Sequence, residues 1–161
     1  MAEEAVSAAL KQITNGLFIV GARDANGDEL NGMTATWLTQ LSFDPRLVGV
    51  SIENGSHTHK LIAESGVYVV NVVRDGDEQI VERFTKPQEK VGDKLGETSF
   101  HIGQTGAPIF DDCISYFECE VASAVDTGDH TLFIGRVVDG GVLAADAEAY
   151  VLQTLGWEYG G

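Results

Sequence analysis

Short apolar runs, several rich in β-branched residues, alternate along the chain with turns of Gly, Asn and Asp, a pattern that predicts strands rather than long helices. Residues 17–20 form one such run, and the Asp24-Ala-Asn-Gly27 that follows has the composition of a hairpin turn. A strand over 30–37 alternates poorly, as one facing a ligand would. A buried strand is expected over 47–52, where Gly49 leaves room for a backbone or a ring to approach. Residues 67–73 are β-branched almost throughout and read as a central strand. Residues 107–110 read as a short edge segment. A long strand spans 114–125, with Phe117, Cys119, Val121 and Val125 on one face and Glu118 and Glu120 on the other. The Gly128-Asp129 turn then leads into its hairpin partner over 131–138.

Three stretches have helical spacing instead. Val6, Leu10 and Ile13 share one face over 3–13; Leu61 and Ile62 form the inner side of 56–65, which Gly66 closes; Ile80, Val81 and Phe84 lie on one side of a weaker helix over 76–84. The polar, charged connection 85–98 is either a lid or a solvated loop. The tail carries Tyr150, Trp157 and Tyr159 without a strand register, which fits a partner surface or a folded-back tail equally. The count is six to seven antiparallel strands with two or three short helices, a mainly β fold. Closing such a sheet into a barrel removes its exposed edges, and a helix can plug one end.

Composition narrows the class of protein. At 161 residues the chain is expected to be one domain, 1–161, with a core of its own. Nineteen glycines against three prolines suit the turns and bulges of a barrel. The net charge of −15 argues against a nucleic-acid or anionic-membrane surface, each of which wants a basic patch. No apolar run approaches the roughly 20 residues that span a bilayer, and the start Met1-Ala-Glu-Glu4 lacks a signal-peptide pattern. A cytoplasmic location is therefore expected. Cys113 and Cys119 sit in one expected strand at a separation of roughly 20 Å, too far for a disulfide, and read as two small buried hydrophobes.

Candidate chemistry concentrates between residues 31 and 60. Thr34, Thr36, Thr39 and Ser42 lie between two apolar runs, and an unpaired buried hydroxyl costs about 1–3 kcal/mol, so the backbone or a bound polar ligand must partner them. Downstream, Ser56 is the expected N-cap of a helix whose first turn holds His57, His59 and Lys60. Cations are the wrong sign for a helix N-terminus, unless a phosphate sits there among the free N–H groups and hydroxyls. His57 and His59 are two apart on a helix, so their rings diverge and no metal site is expected. The chain also lacks a G-x-S-x-G elbow and a G-x-G-x-x-G fingerprint.

These same residues carry a family resemblance. Asn31-Gly-Met-Thr-Ala-Thr-Trp37, then Leu41-Ser-Phe-Asp-Pro45 with a Leu-Val-x-Val strand, and later Gly128-Asp-His-Thr-Leu-Phe-Ile-Gly135, resemble the flavin reductase family of FMN-binding split β-barrels over about residues 16–138. The resemblance implies FMN as cofactor, with FAD as the alternative, and NAD(P)H as electron donor. It implies that backbone N–H groups of Thr34 to Trp37 bond the flavin ring, with Ala35 and Thr36 lining it, that Met33, Ser51 and Glu53 also bind the cofactor, and that Thr39 assists the ribityl chain or phosphate. Asn54, Ser56, His57, Thr58, His59 and Lys60 would form the phosphate corner, with the neutralising cation left open among His57, His59 and Lys60. Phe84 is core or a wall of the ring pocket, and Trp37, where the family often has Ser, is a core ring or packs beside the flavin. His130 would lie by the nicotinamide, positioning the donor or supplying a proton, with the hydride chemistry left to the flavin.

The expected function is NAD(P)H-dependent transfer of hydride to flavin N5, by a protein that pairs as a twofold homodimer. The tail Gly156-Trp-Glu-Tyr-Gly-Gly161 is similar to members linked to iron–sulfur carriers. The alternative is thus a flavoredoxin-like carrier that exchanges electrons with a redox protein partner and oxidises no NAD(P)H itself.

Overall fold

A computed structural model describes residues 1–86 and 95–159. Part of the 85–98 connection, read as a lid or a loop, therefore lies outside the described residues.

The first helix, α1 (Ala2–Leu10), precedes the hairpin of β1 (Phe18–Arg23) and β2 (Leu30–Ala35). Then come β3 (Leu38–Ser42), β4 (Leu47–Glu53), α2 (His57–Ser65), β5 (Val67–Val72) and α3 (Glu78–Arg83). A small ribbon of β6 (Phe100–Ile102) and β7 (Pro108–Phe110) follows, then the long hairpin β8 (Ser115–Asp126) and β9 (His130–Val142), and finally α4 (Leu152–Leu155). No helix among the described residues is long and apolar enough to cross a membrane.

Seven strands form one antiparallel sheet in the order β2-β1-β5-β8-β9-β4-β3. Its two end strands are consecutive in the chain, joined by Thr36 and Trp37 alone. Three peptide steps at about 3.8 Å bring Ala35 and Leu38 within roughly 11 Å. The sheet must therefore curl until its ends meet, which makes it a barrel split between β2 and β3. Register shifts in the β8–β9 pair, after Glu118 and after Val121, and in the β3–β4 pair after Gln40 supply local bending.

Inside the barrel Val20, Val50, Ile52, Tyr68, Val70, Cys119 and Phe133 pack together, and α2 contributes Leu61 and Ile62. Ser56 caps α2 by accepting from the His59 N–H at 3.1 Å, and Gly66 ends it at φ 72, a left-handed conformation that only glycine adopts without strain. A second core lies outside the sheet. Leu17, Ile19, Val73, Ile80, Val81, Phe84 and Phe110 pack there with Tyr150 and Leu152 of the tail. The strand β5 is covered on both faces, as its β-branched composition predicts, because Val69 meets Ala107 and Ile109 beyond the barrel.

Several sequence expectations are corrected. The strand expected over 30–37 stops at Ala35, and β3, which was not foreseen, begins at Leu38. Residues 107–110 are not an open edge: β7 is wholly buried and pairs with β6. Glu118 does face away from Cys119, yet it is 0% exposed because the 103–105 turn lies over it. Space above Gly49 is filled by Leu41 and Leu132 rather than by a ligand ring. The helix α1 forms, but Val6, Leu10 and Ile13 remain exposed. Tyr150 is buried and Trp157 packs on the outer core, so this part of the tail folds back on its own chain. Cys113 and Cys119 are free and buried, as expected, but they do not share a strand: Cys113 lies in the bend before β8.

Candidate functional site

The split in the barrel opens into a cleft of about 380 Å³, at the lower end of the 300–1,000 Å³ typical of small-molecule sites. Its floor is the crossing from β2 to β3, Met33 to Trp37; Ser51 and Glu53 enter from β4. Phe84 and Thr85 come from the end of α3, His130 from the start of β9, and Tyr159 from the tail.

Local hydrogen bonds explain this convergence. The outer edge of β2 is used to hold α3: Thr34 donates its N–H to the Phe84 carbonyl at 3.1 Å and its hydroxyl to the Val81 carbonyl at 2.8 Å. Gly32 lets the Phe84 ring lie close over the strand, since a Cβ there would sit 2.9 Å from two of its ring carbons. Phe110 backs that ring at a centroid distance of 4.8 Å. On the opposite side the Ser51 N–H donates to the Trp37 carbonyl at 2.9 Å, fixing the crossing against β4.

The same contacts place the two aromatic residues. Phe84 is 1% exposed and lines the cleft as well, so it is core and wall together. Trp37 is no core ring: it is 43% exposed and packs between His130, at 4.8 Å between ring centroids, and Tyr159, at 5.5 Å. The His130 Nδ1 meets the Asp129 carboxylate at 2.7 Å, and this hydrogen bond holds the Asp129 carboxyl below the usual carboxylate range.

The cleft brings together nine of the sequence-expected residues: Met33, Thr34, Ala35, Thr36, Trp37, Ser51, Glu53, Phe84 and His130. Among the expected backbone donors, Thr34 already serves Phe84 and Ala35 lies in the β1–β2 ladder opposite Phe18. Thr36 and Trp37 remain: among the described residues their N–H groups meet no protein acceptor. Two unpaired donors beside Met33, Ala35 and the Phe84 ring fit a flat heteroaromatic ring that carries carbonyl oxygens.

The expected phosphate corner stands apart from the cleft lining and is largely partnered within the protein. The Thr58 side chain is buried, its Oγ1 accepting from Asn31 Nδ2 at 3.1 Å, which removes it as a surface hydroxyl. His57 Nε2 pairs with Glu29 at 2.5 Å, while His59 Nε2 lies 2.9 Å from the Thr131 hydroxyl and its ring packs on Phe133. Two residues apart, these rings do diverge. Asn54 joins the Gly128 carbonyl and the Thr131 hydroxyl, tying the β8–β9 turn to the start of α2. Lys60 keeps an exposed ammonium, 3.9 Å from Glu64. Thr39 is exposed on β3, away from the cleft, its hydroxyl directed to the Gln40 carbonyl. Thr85 and Tyr159 line the cleft without having been expected there; Thr85 adjoins Phe84 in sequence, whereas nothing in the tail's pattern indicated where Tyr159 would come to rest.

A seven-stranded sheet curled to a seam, with the cleft opening at that seam, defines the class by its fold: a split β-barrel. Residues 10–158 match the model of the flavin reductase like domain, and the chain belongs to that family. It is 34% identical to the NADH-dependent flavin reductase StyB of Pseudomonas fluorescens, over 86% of this chain and 78% of that one. It is 31% identical to a high molecular weight rubredoxin of Moorella thermoacetica, over 84% of this chain but 59% of the relative. The solved structure of the flavin reductase HpaC complexed with NADP+ superposes with a TM-score of 0.80 at 29% identity, covering 94% of this chain and 92% of that one. Other curated relatives are far longer, and the chain spans between 24% and 38% of three of them.

Proposed function

We propose that the cleft binds the isoalloxazine head of FMN, with FAD as the alternative, and that the protein catalyses electron transfer from NAD(P)H to it. When bound, the flavin supplies the hydride-accepting chemistry. The chain's own part is to bind, align and stabilise charge. The N–H groups of Thr36 and Trp37 donate to ring acceptors, and donors fixed in advance favour the negative charge that reduction brings. Phe84, Met33 and Ala35 press against the ring and exclude water from one side. His130, held by Asp129, stands beside Trp37 at the cleft margin, where an imidazole can orient a nicotinamide carboxamide or exchange a proton.

For the phosphate, the reading narrows from the whole corner to the first-turn N–H groups of α2 with the Lys60 ammonium. Support comes from continuity, since Glu53 lines the cleft and α2 begins four residues later. The observation that carries the function is the pair of unpaired N–H donors in the β2–β3 crossing. The test is anaerobic mixing of FMN-loaded protein with NADH or NADPH. Loss of the flavin's visible absorbance supports the enzyme, and failure of the protein to retain FMN refutes the site.

A second reading, a carrier that exchanges electrons with a redox protein and oxidises no NAD(P)H, is favoured by the likeness to a rubredoxin-named relative. Retained FMN that NAD(P)H does not bleach would select it. The proposal includes a twofold dimer, supported by exposed apolar groups on α1 and by Phe43, which is 89% exposed. Sizing chromatography tests the dimer.

A further inference from the structure

Tyr159 is not held in the cleft as the other lining residues are. Those from β2, β4 and β9 belong to paired strands, and Phe84 is locked in the outer core. The tail itself is anchored just before Tyr159. Leu152 is fully buried, its N–H donating to the Asn15 carbonyl at 2.8 Å, and Trp157 packs on the outer core. Beyond Trp157 the ties weaken. Glu158 meets Lys11 at 3.0 Å, but the two side chains are 60% and 38% exposed, and such pairs contribute little. The Tyr159 hydroxyl makes no hydrogen bond among the described residues, and the ring is 45% exposed. What holds it over the cleft is the tilted ring contact with Trp37 at 5.5 Å, 59° between planes.

The size of the cleft gives this placement a consequence. At about 380 Å³ it suits one large ring system. A second planar ring stacking on the first must take its space from a lining residue, and Tyr159 is the one with the least to lose. We infer that Tyr159 is a displaceable gate: it rests on Trp37 while one ring is bound and yields that place to a second planar ligand, thereby setting the affinity for the nicotinamide nucleotide. This rests on the flavin reading of the cleft.

The test uses full-length protein loaded with FMN and titrated with oxidised NAD+, an unreactive probe that keeps binding apart from chemistry. An exposed aromatic pair of this kind changes an equilibrium by about 2- to 10-fold. Tyr159→Ala is expected to bind NAD+ tighter by that factor, with a smaller change in FMN affinity. Tyr159→Phe, which keeps the ring and loses only an unbonded hydroxyl, is expected to match the wild type. In turnover the alanine variant lowers KM for NAD(P)H by more than it changes kcat. Weaker or unchanged NAD+ binding by Tyr159→Ala, with FMN still held, overturns the gate and leaves the flavin reading intact. Failure of wild type and variant alike to take up FMN overturns both.

Discussion

Replacing Asn71 by Asp swaps one amide nitrogen for an oxygen and leaves the shape unchanged, so the result isolates polarity from packing. Asn71 is fully buried in β5. Its Nδ2 donates to the carbonyls of Ile19 at 3.1 Å and Pro108 at 3.3 Å, and its Oδ1 accepts from the Phe110 N–H at 2.9 Å. One side chain thereby ties β5 to β1 and to the ribbon strand β7. A carboxylate would aim its second oxygen at two carbonyl oxygens, and the single Phe110 donor does not offset that repulsion together with the loss of water. Folding should therefore favour the protonated acid, with a pKa raised by about 3–5 units from an unfolded value near 3.9.

The sign follows from proton binding. Below about pH 4 both states are protonated, and the variant lacks one hydrogen bond, a loss of about 1–2 kcal/mol. As pH rises the folded state still holds the proton and the unfolded state does not, so stability falls by about 1.4 kcal/mol per pH unit. By neutral pH the total is about 5–6 kcal/mol, comparable to the whole stability of many domains. The assay is urea unfolding of both proteins across about pH 4 to 8, followed by the fluorescence of Trp37 and Trp157. A stability gap that stays constant with pH would refute the reasoning.

Three further outcomes are expected. Gly32→Ala drives a Cβ to 2.9 Å from the Phe84 ring and 3.0 Å from Phe110; overpacking of this kind costs about 1–3 kcal/mol, and both the urea midpoint and FMN affinity should drop. Burial pushes the thiols of Cys113 and Cys119 up to about 12, so neither should react with iodoacetamide at mildly alkaline pH until urea unfolds the chain, as read by mass. Asp111 accepts from the Ser99 hydroxyl at 2.6 Å and lies 2.6 Å from His101 Nδ1, contacts that hold its carboxyl below the usual range, the serine bond first. Its contribution is present above the unfolded carboxylate pKa and is lost as pH falls through the lowered folded value. Asp111→Asn should therefore flatten the acid side of the stability profile by a small amount, the side chain being partly exposed.

The residue pattern by itself determined the elements whose partners are local. The Ser56 cap and Gly66 stop bound α2, the Asp24–Gly27 turn sets the first hairpin, and the β-branched run of β5 carries the mark of burial on both faces. It also collected five of the eleven cleft residues into one segment, because Met33 to Trp37 are contiguous in the chain. Long-range pairing decided the rest. That Glu118 is buried follows from a turn arriving from residues 103–105, which donates to the carboxylate from the Thr105 N–H and hydroxyl at 3.0 and 2.6 Å. That Asn71 fastens three strands depends on where β7 docks, and no alternation within β5 encodes it. His57 and Thr58 look available to an anion in the chain, yet Glu29 and Asn31, far apart from them in sequence, had already engaged them. Periodicity records which way a side chain points, whereas only the folded barrel determines what stands there to meet it.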